Sequence, residues 1–258
     1  MSTKLTIGYS VLRECIQNIT PPVERPDWET VIVVQNPGEK SWQLADVPKL
    51  KGREDLSTEE LQSIGVAKSR TRAIWLAKGE YLVFADDDIV FNEDGLTAAI
   101  SYLDSNPKLS LLLAQAGDPP GNLRKQYPKR QTKLRLLNSA RAATYEMIIR
   151  VDAVRQFGVV FDENFGAGSE NYLGDEYIFI ADLLRAGGKG EFVPITIATH
   201  PEVSSGSGWG TDRDRIARAM VFTRVFGWLA PFVRLAFGVR RLQELGGLRN
   251  LLRFVLAR

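Results

Sequence analysis

Cysteine and histidine are almost absent from this 258-residue chain: Cys15 and His200 are the sole examples. A lone cysteine excludes an internal disulfide and a cysteine-based zinc site, and it fits a reducing compartment. No run reaches ~18 uninterrupted apolar residues. The nearest, "VFGWLAPFVRLAFGV", is broken by Pro231 and Arg234. The first residues show no charged-then-apolar leader pattern, so a cytoplasmic location is the expectation. Internal repeats and low-complexity tracts are also missing. The net charge of +2 gives no overall excess of one sign. A nucleic-acid partner is therefore not expected, because the basic segments also lack a recognition module.

The charge is unevenly placed. Residues 124–141 hold seven Lys/Arg and no acid, and residues 211–258 hold ten Arg against three acids. The remainder is acidic, and part of that acidity is a triplet, Asp86-Asp87-Asp88, directly after the apolar run "YLVFA".

Strand and helix signals alternate along the first two thirds. "KLTIGYSV", "ETVIVVQN", "YLVFA", "LSLLLAQAG" and "GEFVPITIATH" read as strands. "YEMIIRVDAVRQFG" reads as a strand followed by a short helix. "SRTRAIWLAKG", "NEDGLTAAISYLDSNP" and "DEYIFIADLLRAGG" have helical spacing, with Asn92 as an N-cap and Gly187-Gly188 as a stop. Residues 39–63 are polar and irregular, and no strand is expected there. The alternation predicts an α/β fold with a mostly parallel central sheet flanked by helices over residues 1–210, and a basic amphipathic helical tail over 211–258. Ligands of such sheets bind outside the carboxyl ends of the strands. Asp86, Asp87 and Asp88 lie at one such end and His200 at another.

Three adjacent carboxylates repel one another. A turn or cap is the structural alternative. The chemical reading is a site for Mg²⁺ or Mn²⁺, which take hard oxygen ligands, often one or two carboxylates completed by phosphate oxygens and water. That points to a nucleotide-activated substrate whose diphosphate leaves. A second acidic cluster, "FDENFGAGSENYLGDEYIF", runs from a glycine-rich loop into a helix with Asp175 and Glu176 in its first turn. Acids there suit the helix dipole, which accounts for one of them. A carboxylate at a pocket mouth also serves as base for an attacking hydroxyl.

"GVAKSRTRAIWLAKGEYLVFADDDIVF", "FDENFGAGSENYLGDEYIFIADLLRAGGK" and "THPEVSSGSG", in this order, resemble family 2 glycosyltransferases of the GT-A fold, over roughly Leu5 to Gly208. The third segment is similar to the ending of small bacterial members that build polysaccharide or lipopolysaccharide. The resemblance implies a metal-dependent, inverting, hexosyl-transferring enzyme. Its donor would be a nucleoside-diphosphate sugar, UDP- or dTDP-linked, and its acceptor a hydroxyl of a glycan or lipid-linked molecule. Asp86 and Asp88 match the Asp-x-Asp acids that hold metal and donor, with Asp87 between them. His200 matches a frequent metal ligand. Arg70 matches the arginine of an Arg-Asn pair near the nucleotide, where Thr71 replaces the Asn. Glu176 aligns with the catalytic Asp and Asp175 with the Glu before it, so the order is reversed, and Glu176 is the favoured base. Gln35 and Asn36 stand where the family has acids against the nucleobase. Tyr9, at the end of the first strand, either lines the base pocket or belongs to the core.

The tail reads as helices packed on the catalytic domain or as a peripheral attachment at the inner face of the plasma membrane. The basic run 124–141 is either a cover for donor or acceptor phosphates or a solvated loop. Two other functions share parts of this pattern: a nucleotidyltransferase making a sugar nucleotide, and a non-catalytic sugar-nucleotide-binding module. "GYSVLRECIQN" lacks the phosphate loop expected of the first.

Overall fold

β1 (Leu5–Leu12) alternates large and small residues, and this alternation sets the architecture. Leu5, Ile7, Tyr9 and Val11 enter one apolar layer. Thr6, Gly8 and Ser10 face the other side, where a Cβ on Gly8 would sit 3.2 Å from Ala73. The small face lets helix α1 (Val66–Leu76) lie close against the sheet. The computed structural model of the chain describes residues 2–39, 41–44, 47–200 and 211–257. The Pro201–Gly208 part of the third quoted segment lies outside them.

The remaining strands are β2 (Trp28–Gln35), β3 (Leu56–Leu61), β4 (Tyr81–Ala85), β5 (Val90–Phe91), β6 (Leu111–Gly117), β7 (Thr132–Lys133), β8 (Met147–Arg150) and β9 (Gly190–Thr199). The sheet order is β3-β2-β1-β4-β8-β6-β9-β5, with β7 also on β9. β3, β2, β1 and β4 form the parallel block that the alternation predicts. Beyond it the sheet is mixed. β8 is antiparallel to both β4 and β6, β6 and β9 are parallel, and β5 and β7 run antiparallel to β9. β3 falls in the stretch where no strand is expected. Its sequence, LSTEEL, is largely exposed, as suits an edge strand whose polar side chains discourage pairing with another chain.

β4 divides its side chains between the two layers. Tyr81, Val83 and Ala85 join the first, which α2 (Glu93–Ser105) covers with Leu96, Ala99, Ile100 and Leu103. Leu82 and Phe84 join the second, covered by α1, α3 (Val151–Phe157) and α4 (Asp175–Arg185). There Phe84, Phe161 and Phe179 contact one another, Phe161 and Phe179 stacking at 4.4 Å. Each such side chain, fully buried, contributes about 1.5–3 kcal/mol. Asn92 caps α2 as the sequence predicts, its side chain accepting from Gly95 N at 2.9 Å.

The tail folds into α5 (Asp212–Phe226), α6 (Ala230–Arg240) and α7 (Leu248–Leu256). α5 is fixed to the layer that carries α4. Val221 packs where a Cβ on Gly174 would lie 2.4 Å from it, and Arg224 pairs with Asp162 at 2.8 Å and Asp182 at 2.7 Å. The continuous helical stretch Asp212–Arg240 is, by length and composition alone, apolar enough to cross a membrane, although no apolar run in it reaches ~18 uninterrupted residues.

Candidate active site at the strand ends

The parallel register aligns Tyr9 with Ala85 and Leu12 with Gln35, so β1, β2 and β4 end along one edge. Immediately past Ala85 come Asp86, Asp87 and Asp88. The cation that the linear sequence does not place beside them comes from α1. Arg70 Nη2 donates to Asp86 Oδ1 at 2.8 Å, and its Nη1 donates to Asp175 Oδ2 at 2.5 Å. Arg70 is 6% exposed and Asp175 3%. Burial alone would weaken the guanidinium's hold on its proton, but Asp86 and Asp175 outweigh it and keep Arg70 firmly charged. This one side chain joins the two acidic clusters read separately in the sequence.

The loop that delivers α4 depends on glycine at two points. Gly166 has φ 92°, and a Cβ there would lie 2.8 Å from the Asp175 carboxyl. Gly174 has φ 88° and precedes α4 directly. Asp175, locked to Arg70, is then a poor candidate to move a proton. Glu176 is half-buried and differs from it. Burial, together with the neighbouring Asp175 charge and a hydrogen bond to it, pushes the Glu176 carboxyl up to about 8.

Asp87 accepts from Asn18 Nδ2 at 2.9 Å. Asp88 Oδ2 lies 3.5 Å from His200 Nε2. Burial raises the Asp88 carboxyl, His200 opposes this, and Asp86 and Asp87 add to the rise. His200 is held from three sides. Its backbone N–H donates to Gly117 O at 3.1 Å, its carbonyl accepts from Arg124 Nη1 at 2.8 Å, and the Tyr145 ring stacks on the imidazole at 4.9 Å.

Among the described residues, no three His, Cys, Asp or Glu side chains converge as a metal cluster. The Asp88 carboxylate nevertheless suits Mg²⁺ or Mn²⁺, and the His200 imidazole opposite it favours Mn²⁺ of the two. Asp88 and His200 face each other, and these ions complete few protein ligands with phosphate oxygens and water. Asp86, the third residue expected to hold metal, has its Oδ1 engaged by Arg70.

Other expected site residues are hydrogen-bonded within the fold. Tyr9 is fully buried and its hydroxyl donates to Thr20 O at 3.2 Å, so it belongs to the core, where burial raises its phenol. Gln35 Oε1 accepts from Gly65 N at 2.7 Å and so closes the start of α1. Asn36 Nδ2 donates to Glu60 Oε1 at 3.2 Å, and Glu60 also accepts from Trp42. Thr71 accepts from Phe161 N at 3.1 Å. In the basic run, Lys125 pairs with the buried Glu146 at 2.7 Å, whereas Lys129, Arg130 and Lys133 are exposed.

Sequence reasoning missed Tyr145, Asn18 and Glu60. Tyr145 reaches His200 because β8 inserts antiparallel beside β4, and nothing in "TYEMII" signals that insertion. Glu60 is on the unforeseen β3. Two clefts are open. One of about 340 Å³ adjoins the glycine-rich loop, lined by Gly65, Lys68, Glu163, Gly168 and Ser169 among others. The other, about 560 Å³, lies by Lys4, Trp28 and Asp104 at the N-terminal ends of the strands, away from the acids. The first borders the start of α1 and the glycine-rich loop, and none of Asp86, Asp87, Asp88, Asp175 or Glu176 lines it.

The fold is similar to that of S. aureus TarS. One TarS crystal structure superposes with a TM-score of 0.62 at 15% identity over 95% of this chain, which spans 44% of that TarS chain. TarS 1–349 in complex with UDP-GlcNAc gives 0.62 at 14% identity, covering 98% of this chain and 82% of that one. The same fragment with UDP gives 0.59 at 17% identity, with 98% and 81% covered. No curated protein matches the sequence. The model of glycosyl transferase family 2 matches residues 7–158, more than half of the chain, and with the mixed α/β sheet that carries the acids at its strand ends the chain belongs to that family of nucleotide-sugar glycosyltransferases.

Proposed function

We propose that the protein transfers a hexose from a UDP- or dTDP-linked donor to a hydroxyl of a glycan or lipid-linked acceptor in cell-surface polysaccharide synthesis, with inversion. The observation that carries this reading is the Asp86–Arg70–Asp175 bridge, which couples donor-side and acceptor-side acids through one buried cation. The UDP and UDP-GlcNAc complexes of TarS favour a uridine nucleotide.

In the reaction, the acceptor oxygen bonds to the anomeric carbon as the bond from that carbon to the diphosphate oxygen breaks. The electron pair leaves with the nucleoside diphosphate, and the hydroxyl proton passes to Glu176. A divalent cation held by Asp88 and His200 would neutralise the charge on the departing diphosphate. Glu176, with its raised affinity for a proton, is matched to that role near neutral pH. Arg70 is a positioning residue: it fixes Asp175, whose charge keeps Glu176 basic. Tyr145 and Arg124 fix His200.

Incubating the protein with Mn²⁺ and a panel of nucleotide sugars tests this. Metal-dependent release of nucleoside diphosphate from at least one donor is expected. Release of pyrophosphate from a nucleoside triphosphate and a sugar phosphate would instead identify a nucleotidyltransferase. Binding without any turnover would identify a non-catalytic module.

A further inference from the structure

We infer that the outward faces of α6 and α7 seat the protein on an anionic lipid surface, a conclusion independent of the transfer reaction.

Nine of the sixteen large apolar side chains exposed among the described residues lie in residues 211–257, so the exposure is concentrated rather than scattered. On α6 the buried positions are Ala230, Arg234 and Gly238, and the outward positions are Phe232, Leu235 and Val239. Trp228, 81% exposed, stands just before them. On α7 Leu251 and Phe254 turn inward, while Leu248, Leu252 and Leu256 turn outward. Both sets recur every three or four residues, as one side of a helix requires. A helix of the same chain facing water looks different: the outward side of α2 carries Thr97, Ser101, Asp104 and Ser105.

The charge beside these faces selects the occupant. Arg240, Arg249 and Arg253 are exposed next to the outward leucines and valine, in a tail of ten arginines and three acids. Arginine around an apolar face carrying Trp and Phe suits anionic headgroups over acyl chains. A second copy would bring two such basic tails together, so self-association is disfavoured. The three helices are also held as a unit. Buried Arg234 donates to the carbonyls of Phe254 at 3.3 Å and Val255 at 3.1 Å, and to the Thr223 hydroxyl. α5 cannot both cross a bilayer and keep Arg224 on Asp162 and Asp182, so the unit lies on the surface rather than spanning it.

Flotation of the full chain with lipid vesicles tests the inference. The protein is expected to float with mixed phosphatidylcholine–phosphatidylglycerol vesicles, to stay behind with phosphatidylcholine alone, and to be released by salt. The double variant Phe232→Ser/Leu252→Ser, altered at two exposed positions away from the acids, should bind about tenfold or more weakly. Its release of nucleoside diphosphate in solution should be unchanged, so failure here is separable from failure of the transferase reading. The inference is overturned if the wild-type chain ignores the mixed vesicles, or if the double variant floats as well as it does. It is equally overturned if sedimentation shows a dimer that the double variant disperses, since a second copy would then occupy the face.

Discussion

Glu176 and Asp175 are neighbours in sequence with opposite duties, and the difference comes from where each carboxylate points. Asp175 is neutralised by Arg70, whereas Glu176 has no comparable cation and bears the Asp175 charge beside it. Exchanging Glu176→Gln removes the proton acceptor without altering shape, and the transfer rate should fall by about 10²–10⁴-fold. Wild-type turnover in that variant would remove Glu176 from the mechanism. The pH dependence has a definite sign. Glu176 acts as base only when deprotonated, so the wild-type rate should climb with pH through about 8. Stability should move the other way. A carboxyl with a higher pKa in the folded than in the unfolded chain supports folding below its unfolded pKa and loses that support as pH rises through about 8. Glu176→Gln should therefore melt higher than wild type at alkaline pH, a gain that thermal denaturation at two pH values would detect. Arg70 gives a second test. Arg70→Ala strands Asp175 in the interior, at a cost of about 3–5 kcal/mol. Adding Asp175→Asn to it should recover part of that loss in urea titrations, and no recovery would contradict the buried pairing.

At the scale of elements, the site depends on how α4 enters. Gly174 combines φ 88° with the close approach of Val221. Gly174→Ala should destabilise by about 1–3 kcal/mol. Val221→Ala in that background should relieve the steric part and leave the backbone part, measurable as partial recovery of the urea midpoint. The sequence makes β1, β2, β4, α2 and α4 legible because each has a strong apolar period and a recognisable end, such as Asn92 or the Asp triplet. β3 escapes because an edge strand needs little apolar content. β8 is visible as a strand, but its antiparallel place between β4 and β6 is a tertiary choice that local residues do not encode. The place of the acids at a strand end and a helix start is thus readable, while their partners are not. Arg70 is sixteen residues from Asp86 and 105 from Asp175, and nothing local indicates that one guanidinium serves both. Tyr9 and Gln35 show the converse. Gln35 ends β2 but closes α1, whereas Tyr9 lies within β1, which runs on to Leu12, and faces the core.

For the whole molecule, the fold concentrates negative charge at one edge of the sheet and positive charge in the tail. The first favours a cation and a diphosphate together, and a ligand bound only by the folded state stabilises it in proportion to its occupancy. UDP with Mn²⁺ should raise the melting temperature more than either does alone, by an increment equivalent to about 2.7 kcal/mol at a hundredfold excess over Kd. Equal shifts with and without the metal would argue that the nucleotide binds without it. The central claim is more local: Asp88 and His200 receive the cation that accompanies the nucleotide diphosphate. A crystal soaked in Mn²⁺ and UDP, with the anomalous signal of manganese recorded, tests it most directly. The account predicts a manganese peak in contact with Asp88 and His200, beside the diphosphate. Manganese and UDP bound elsewhere, with no metal in contact with those two side chains, would contradict it.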